Sequence, residues 1–480
     1  MASSGQTSPS AEPFTSMRIA FIHPDLGIGG AERLVVDAAV GLQDLGHKVI
    51  MYTSHHDPSH CFEETRDGTL KVQVGGNTVV PRTIAGRFYI ICAILRNIHL
   101  ALIMIMLNRK LDDKEKFDVI IVDQLSVSIP LLRWTGAKIF FYCHFPDKLL
   151  TKRESLLKKL YRLPVDFIEE LTTGMADTIV VNSKFTANIF QQSFQRLRQV
   201  PEVLYPSIQF AKFDRTVDLS LPEVQVLKAA DDSTVSFLSI NRYERKKDIN
   251  LAIHAFARLL KDKVSSIKDR KLRLIIAGGY DTRVPENVEH HQELVQLAET
   301  NYGLKTFTLA SGQTDKTVPA ETQVLFLQSI SDVQKLFLLQ TARALLYTPT
   351  NEHFGIVPVE SMYMKCPVVA VNSGGPTESV LHVKTGYLCE PEEAIWAETL
   401  KTLLEKSDQE VKEMGQAGHD RVVGLFSLKA FVSKLNGILV QLQQGNGSSL
   451  ESYGMFGAVH PIAIFSVIAL ALSIIVLYAK

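Results

Sequence analysis

The chain has 480 residues, 51 Lys and Arg against 51 Asp and Glu, and a hydrophobic fraction of 46%. It is too long for one ordinary core and too apolar for a largely disordered chain, and at about 100–200 residues per domain it predicts two to four domains. The balanced charge provides no global positive field toward nucleic acid. The scattered cysteines (Cys61, Cys92, Cys143, Cys366, Cys389) lack metal-type spacing, which argues against a disulfide scaffold or a zinc site and fits a reducing compartment.

Residues 1–16 are small, polar and Pro-containing and read as a disordered tail, with no basic-then-apolar pattern of a signal peptide. RIAFIH (Arg18–His23) predicts a strand, PDLGIGG a glycine-rich turn, and Leu34, Ala38, Leu42 and Leu45 one face of the next helix. Val49–Thr53, Val119–Val122, Lys138–Cys143 and Thr178–Val181 read as further strands separated by helices. Between them, Phe88–Leu107 is strongly apolar but carries Arg96, Asn97 and His99 at its centre. A charge at mid-bilayer costs about 2.5–3.5 kcal/mol, so a spanning helix is disfavoured. The segment reads either as a core helix or as an in-plane helix touching a membrane. Lys148–Arg162 is cationic and amphipathic, either a solvated face or a contact for an anionic membrane surface.

Prolines cluster at Pro201, Pro206 and Pro222, and the strand–helix pattern then restarts. Strands are expected at Val235–Ile240, Arg273–Ala277, Gln323–Leu327, Ala344–Tyr347 and Pro367–Val371, and helices at Ile249–Leu260 and Val288–Thr300. Such alternation implies a parallel sheet with helices on both faces. The expected organisation is therefore two Rossmann-like domains, 17–205 and 232–440, joined by a linker over 206–231 and facing each other across a cleft that holds the active site. A spacer at 441–454 leads to a terminal apolar run. Its segment Ile462–Tyr478 would be about 26 Å long as a helix, and with part of 455–461 it nearly matches a hydrocarbon core of roughly 30 Å. Residues 455–478 are thus expected to anchor the chain in a membrane.

Three strand-end segments carry chemistry. Gly27-Ile28-Gly29-Gly30-Ala31-Glu32 is either a tight turn or an anion cradle at a helix N-terminus. It is not a dinucleotide fingerprint, because Glu32 stands at the third glycine position and no acid ends the second strand. Arg242-Tyr243-Glu244-Arg245-Lys246-Lys247 places four cations on one loop, either a charged turn or a diphosphate clamp. Asn351-Glu352-His353-Phe354-Gly355-Ile356-Val357-Pro358-Val359-Glu360 puts two carboxylates around a helix start, where sugar hydroxyls are natural donors; N-capping and surface charge are the alternative. Asn372 to Glu378 adds another glycine turn.

Together, Arg-x4-Lys (Arg242, Lys247), Glu-x7-Glu (Glu352, Glu360) and Gly-Gly-Pro-x-Glu (Gly374 to Glu378) resemble the donor site of retaining GT-B glycosyltransferases of family 4. The resemblance spans about 17–435. GIGGAERLVVDAA, YCHFPDKLL, NRYERKKDINLAIHAFARL and EHFGIVPVESM are similar to the eukaryotic branch that adds the second and third mannoses to the dolichol-diphosphate oligosaccharide. The resemblance implies GDP-mannose as donor and the dolichol-diphosphate-linked oligosaccharide as acceptor, with α-1,3 then α-1,6 linkages. It also implies the cytoplasmic face of the endoplasmic reticulum membrane and association with other transferases of the pathway. By the same resemblance, Arg242 and Lys247 neutralise the donor diphosphate and Glu360 holds the ribose. Glu352 and the backbone of Phe354, Gly355 and Ile356 hold the mannose, Gly29 and Gly30 approach the phosphates, and His144 lies near the reacting sugar. The family works without a metal or other cofactor; cationic side chains can replace a divalent ion, and no Asp-x-Asp stands on a strand-end loop. His353 departs from the Gly common among relatives. The competing readings are a GT-B transferase using another nucleotide sugar and a catalytically dead, membrane-tethered binding protein.

Overall fold

The computed structural model describes residues 16–83, 89–150, 156–228, 234–262 and 271–445. The expected tail (1–16, save its last residue) and the spacer and anchor beyond residue 445 lie outside the described residues. The chain forms two compact units, one of 1–180, 190–202 and 432–480, the other of 181–189 and 203–431.

The first sheet contains β1 (Arg18–His23), β2 (Lys48–Thr53), β3 (Lys71–Val74), β4 (Val119–Asp123), β5 (Lys138–Cys143), β6 (Thr178–Val181) and β7 (Glu202–Val203) in the order β3-β2-β1-β4-β5-β6-β7. β1 pairs in parallel with both β2 and β4, and β4 with β5. The order reverses direction between β1 and β4. In open α/β sheets the carboxyl ends of the strands flanking such a switch point form the ligand crevice. His23 and Asp123 are the last residues of those two strands.

The second sheet contains β8 (Val235–Ile240), β9 (Leu272–Gly278), β10 (Thr306–Leu309), β11 (Val324–Gln328), β12 (Ala344–Tyr347), β13 (Val368–Val371) and β14 (Gly386–Cys389), ordered β10-β11-β9-β8-β12-β13-β14. All six pairings are parallel. Its side chains alternate between two cores. Leu238, Ile240, Ile275, Leu325, Leu345 and Val368 enter one; Phe237, Leu274, Ile276, Phe326, Leu346 and Val369 enter the other. Burial on both faces explains why these strands are continuous apolar runs rather than alternating ones, each fully buried large side chain contributing about 1.5–3 kcal/mol. The switch point here lies between β8 and β12, so the loops beginning at Asn241 and Thr348 flank it.

The stretch read as a linker does more than connect: Ile208, Phe213, Val224 and Leu227 are buried in the second unit's core. The last helix, Leu428–Gln443, contributes its part from Val432 onward to the first unit, where Gln443 Nε2 donates to the Asp118 carbonyl at 2.8 Å. All five cysteines are buried free thiols.

Among the described residues, the helix Tyr89–Arg109 is the one long and apolar enough to cross a membrane. One face is nonetheless core: Cys92, Asn97, Leu100, Ala101 and Met104 are buried, and the buried Arg96 guanidinium donates to the Ser54 carbonyl. Tyr89, Leu102 and Met106 point outward. The two cations ending the amphipathic segment also turn inward. Arg162 is 1% exposed and pairs with Asp166 at 3.1 Å and Asp147 at 3.4 Å, while Lys148 lies over the Phe194 ring at 4.8 Å. Neither belongs to a solvated cationic face.

Candidate active site

In the second unit, β8 runs into Asn241 and a single turn, Arg245–Lys247, before the helix Ile249–Lys261. The Thr348 hydroxyl donates to the Lys247 carbonyl at 2.7 Å, tying this loop to the one after β12. Across the switch point, Lys247 Nζ lies 2.5 Å from Glu352 Oε2. Burial pushes the Glu352 carboxyl up, but the Lys247 ammonium and the Tyr347 hydroxyl more than reverse this and hold it below its ordinary value. The other cations of the loop face elsewhere. Arg242 and Lys246 both pair with Glu244 at 3.1 Å, and Arg245 with Glu289 and Glu293. Arg242, its side chain 63% exposed, therefore sits on the expected loop but outside the Lys247–Glu352 pair.

Gly355 caps the helix Ile356–Tyr363 at φ +80, a left-handed value that favours glycine. Phe354 is buried against Tyr205 and Phe426, fixing the backbone at the helix start. A Cβ on Gly375 would lie 2.1 Å from the Phe354 carbonyl oxygen, and Gly375 N donates to the Glu352 carbonyl at 2.8 Å. The glycine turn after β13 thus braces the Glu352–Gly355 loop from behind. Glu378 serves the framework, because its carboxylate accepts from Lys184 N and Phe185 N, both at 2.8 Å, at the start of the helix Lys184–Ser193. The His353 carbonyl accepts from the Ser183 hydroxyl at 2.5 Å.

Glu360 has a partner that motif reading did not find, with Lys335 Nζ 2.5 Å from its Oε2. Lys335 lies on the helix Asp332–Thr341, 25 residues upstream, and nothing in its own neighbourhood marks it. The Lys247–Glu352 and Lys335–Glu360 pairs are both partly open to solvent.

In the first unit, Gly29 caps the helix Gly30–Asp44 in extended backbone, and the Glu32 carboxylate lies over it: a Cβ on Gly29 would be 2.2 Å from Glu32 Oε2. Nothing lies within 4 Å of a Cβ on Gly30. His144, just past β5, has Nε2 2.8 Å from Asp123 Oδ1. Asp123 Oδ2 is 2.8 Å from Nδ1 of His23, whose Nε2 is 3.7 Å from Glu32 Oε1. His23 and Asp123 went unnoticed in the sequence; each looks like an ordinary strand end. Among the described residues, no group of three or more His, Cys, Asp or Glu side chains is arranged to hold a metal ion.

Two Rossmann-like sheets, with charged side chains gathered at the switch point of each, define the GT-B class of glycosyltransferases. Residues 28–210 match the family model described as Glycosyltransferase Family 4, and residues 225–421 the one described as Glycosyl transferases group 1. Among solved structures, the chain is similar in fold to sucrose-phosphate synthase from Thermosynechococcus elongatus (TM-score 0.65, 19% identity, 89% of this chain and 100% of that one). It is likewise similar to Anabaena HepE in complex with UDP and glucose (TM-score 0.61, 18% identity, 88% and 100%). Curated relatives are nearer in sequence. The alpha-1,3/1,6-mannosyltransferase ALG2 of Rhizomucor pusillus is 54% identical over 92% of this chain and 95% of its own length. Its namesakes from Homo sapiens and Mus musculus are 46% and 45% identical, over 87% and 88% of this chain and 94% and 95% of their own. The chain belongs to the ALG2 family of alpha-1,3/1,6-mannosyltransferases.

Proposed function

We propose that this protein transfers mannose from GDP-mannose to a dolichol-diphosphate-linked mannosyl-chitobiose, forming an α-1,3 and then an α-1,6 linkage with retention at the anomeric carbon and without a metal ion. The observation that carries the reading is the Lys247–Glu352 pair across the β8/β12 switch point, in a chain whose relatives, matched over nearly their full length, are named alpha-1,3/1,6-mannosyltransferases. Lys247, with Arg242 on the same loop, provides cationic charge for a donor diphosphate; Lys335 and Glu360 form a second polar pair suited to ribose hydroxyls. Glu352, ionised by its lysine, accepts hydrogen bonds from mannose hydroxyls, as neutral carboxyl oxygens do less well.

The chemistry balances with protein groups as spectators. The C1–O bond to the diphosphate breaks, the acceptor hydroxyl oxygen bonds to C1 on the same face, and its proton passes to the departing diphosphate oxygen. Negative charge grows on that diphosphate, so fixed cations nearby favour the transition state over the ground state. The catalytic units act at the cytoplasmic face of the endoplasmic reticulum membrane, where the lipid-linked acceptor is held and further transferases of the pathway would be neighbours.

The test is transfer from a panel of labelled nucleotide sugars to a synthetic lipid-linked mannosyl-chitobiose, with and without EDTA. GDP-mannose is expected to be the preferred donor and EDTA to leave the rate unchanged. Preference for another nucleotide sugar, or activity lost to EDTA and restored by Mn²⁺ or Mg²⁺, would contradict the reading. Protease treatment of sealed microsomes tests orientation: digestion of the catalytic units without detergent is expected, and protection until detergent is added would place them in the lumen.

A further inference from the structure

Arg96 stands in the middle of the apolar helix Tyr89–Arg109 and is buried there. A buried guanidinium ordinarily has a carboxylate partner. Arg96 instead donates from Nη2 to a neutral oxygen, the Ser54 carbonyl. Its Nε and the Ser54 hydroxyl are both buried without a hydrogen-bond partner among the described residues, a costly arrangement for two donors. Asp25, the carboxylate that acts on Arg96 through space, is already held by Arg82 at 2.8 Å. Burial, and then the like charge of Arg82, work against the charge on Arg96, and Asp25 offsets them only in part. Two guanidiniums therefore share one carboxylate.

The fold fixes where this cluster lies. Asp25 follows β1 by two residues, and Ser54 and His55 follow β2 directly. Leu26 N donates to the His55 carbonyl at 3.0 Å and joins the two loops. Arg82, on the loop after β3, has Nη1 3.3 Å from His55 Nε2. Gly76, at φ +78, admits the Arg96 turn of the helix: a Cβ there would lie 2.5 Å from the Arg96 carbonyl oxygen. The cluster thus belongs to the carboxyl edge of β1, β2 and β3, the edge at which such sheets take ligands.

The proposed transfer involves two diphosphate esters, and the cations of the second unit answer only the donor's. We propose that Arg96 and Arg82 hold the diphosphate of the lipid-linked acceptor on the first unit. This rests on the reading that the acceptor is a lipid diphosphate. Diphosphate oxygens take charge-assisted hydrogen bonds from guanidinium forks. They would supply the anion that Arg96 lacks and acceptors for its Nε and the Ser54 hydroxyl. Arg82 is 62% exposed and has donors beyond those that Asp25 and His55 engage. The helix itself favours an anion on an apolar chain over a free one. Tyr89, two turns before Arg96 on the same face, is exposed, as are Leu102 and Met106, and an isoprenoid chain laid against them would leave water together with them.

The inference is tested on the full chain in neutral detergent micelles, with Arg96→Gln and Arg82→Gln. Each substitution is expected to raise the KM for the lipid-linked mannosyl-chitobiose about tenfold or more, while the KM for GDP-mannose stays within about twofold. Calorimetric binding of sugar-free phytanyl diphosphate, phytanyl monophosphate and phytanol separates charge recognition from a loss of local structure. The unsubstituted protein is expected to bind the diphosphate most tightly and phytanol least, and each substitution to narrow that gap. Equal weakening toward all three ligands would make Arg96 a strut for the Ser54 loop and overturn the proposal. So would no binding of phytanyl diphosphate, a rise in the donor KM in place of the acceptor KM, or equally tight binding of phosphatidate, which would assign the site to a lipid headgroup. If Arg96→Gln fails to fold, Arg82→Gln, changed at an exposed side chain, decides. Arginine-dependent binding of phytanyl diphosphate by a protein that transfers no mannose would end the function proposed above and leave this site standing. Normal transfer with an unaltered acceptor KM in the variants would end the site alone.

Discussion

Replacing Lys247 with Met removes the ammonium from Glu352 while keeping most of the lysine stem. The two side chains are 13% and 23% exposed, and their charged atoms are 2.5 Å apart. Breaking a fully buried pair by removing one partner costs about 3–5 kcal/mol. With part of each side chain in water, about 1–3 kcal/mol is expected, or roughly 3–10 °C in melting temperature for a unit of this size. The pH dependence has a definite sign. In the unsubstituted protein Glu352 lies below its ordinary value, so its contribution is present above about pH 4.3 and fades as pH falls through the lower folded value. In Lys247→Met, burial is the largest influence left on Glu352 and raises its carboxyl, so acidification relieves the variant. The melting difference is therefore largest near neutrality and shrinks below about pH 4. Transfer is expected to fall by about 10²–10³ at saturating donor. Adding Glu352→Gln separates the two effects: the double variant regains most of the stability, since no unpaired charge remains, but none of the activity. Calorimetry from pH 3 to 8 alongside turnover with GDP-mannose reads both. A Lys247→Met protein with near-normal turnover would refute the site assignment, and a melting deficit that grows on acidification would refute the electrostatic account.

Further outcomes follow from individual contacts. Gly375→Ala drives a Cβ into the Phe354 backbone and should cost about 2–4 kcal/mol, a fall of roughly 5–15 °C by calorimetry. Gly30→Ala has open space and should stay within about 0.5 kcal/mol in stability; undiminished transfer by that variant would remove Gly30 from the donor site. Glu360→Gln loses its pairing with Lys335 and should raise the donor KM about tenfold, with kcat nearly kept if the contact is equal in ground and transition states; a fall in kcat alone would place Glu360 at the reacting centre. His23, raised to about 9 from an ordinary 6.5, contributes stability that is fully present below about pH 6.5 and lost as pH rises through 9. The melting difference between the unsubstituted protein and His23→Gln, about 3 kcal/mol at most, should close over that interval.

The strands that build both sheet centres were legible because burial on both faces demands uninterrupted apolar runs. RIAFIH, KIFFYC, TIVV, VSFLSI and ALLY begin and end where their sequences suggest. The strands that escaped notice, KVQV, EV, TFTL and GYLC, are short and lie at or near sheet edges, where neighbours supply part of the definition that composition lacks. Glu352, Glu360 and Lys247 were legible as well, because each stands at a strand end or helix start within a compact motif. Their partners were not all legible. The pairing of Lys247 with Glu352 spans 105 residues, and that of Lys335 with Glu360 joins a helix with no motif of its own to the helix Ile356–Tyr363.

The first unit marks the division most sharply. Sequence alone determined that a strand ends at His23, that another runs to Val122, one residue short of Asp123, and that His144 follows a third, because these are local matters of apolar period and turn chemistry. That the three side chains meet was decided by sheet order. β1 lies beside β4, and β4 beside β5, although β1 and β4 are separated by nearly a hundred residues containing two other strands. A parallel sheet brings the carboxyl ends of distant strands to one edge, and only that closure makes one buried carboxylate answer to two imidazoles.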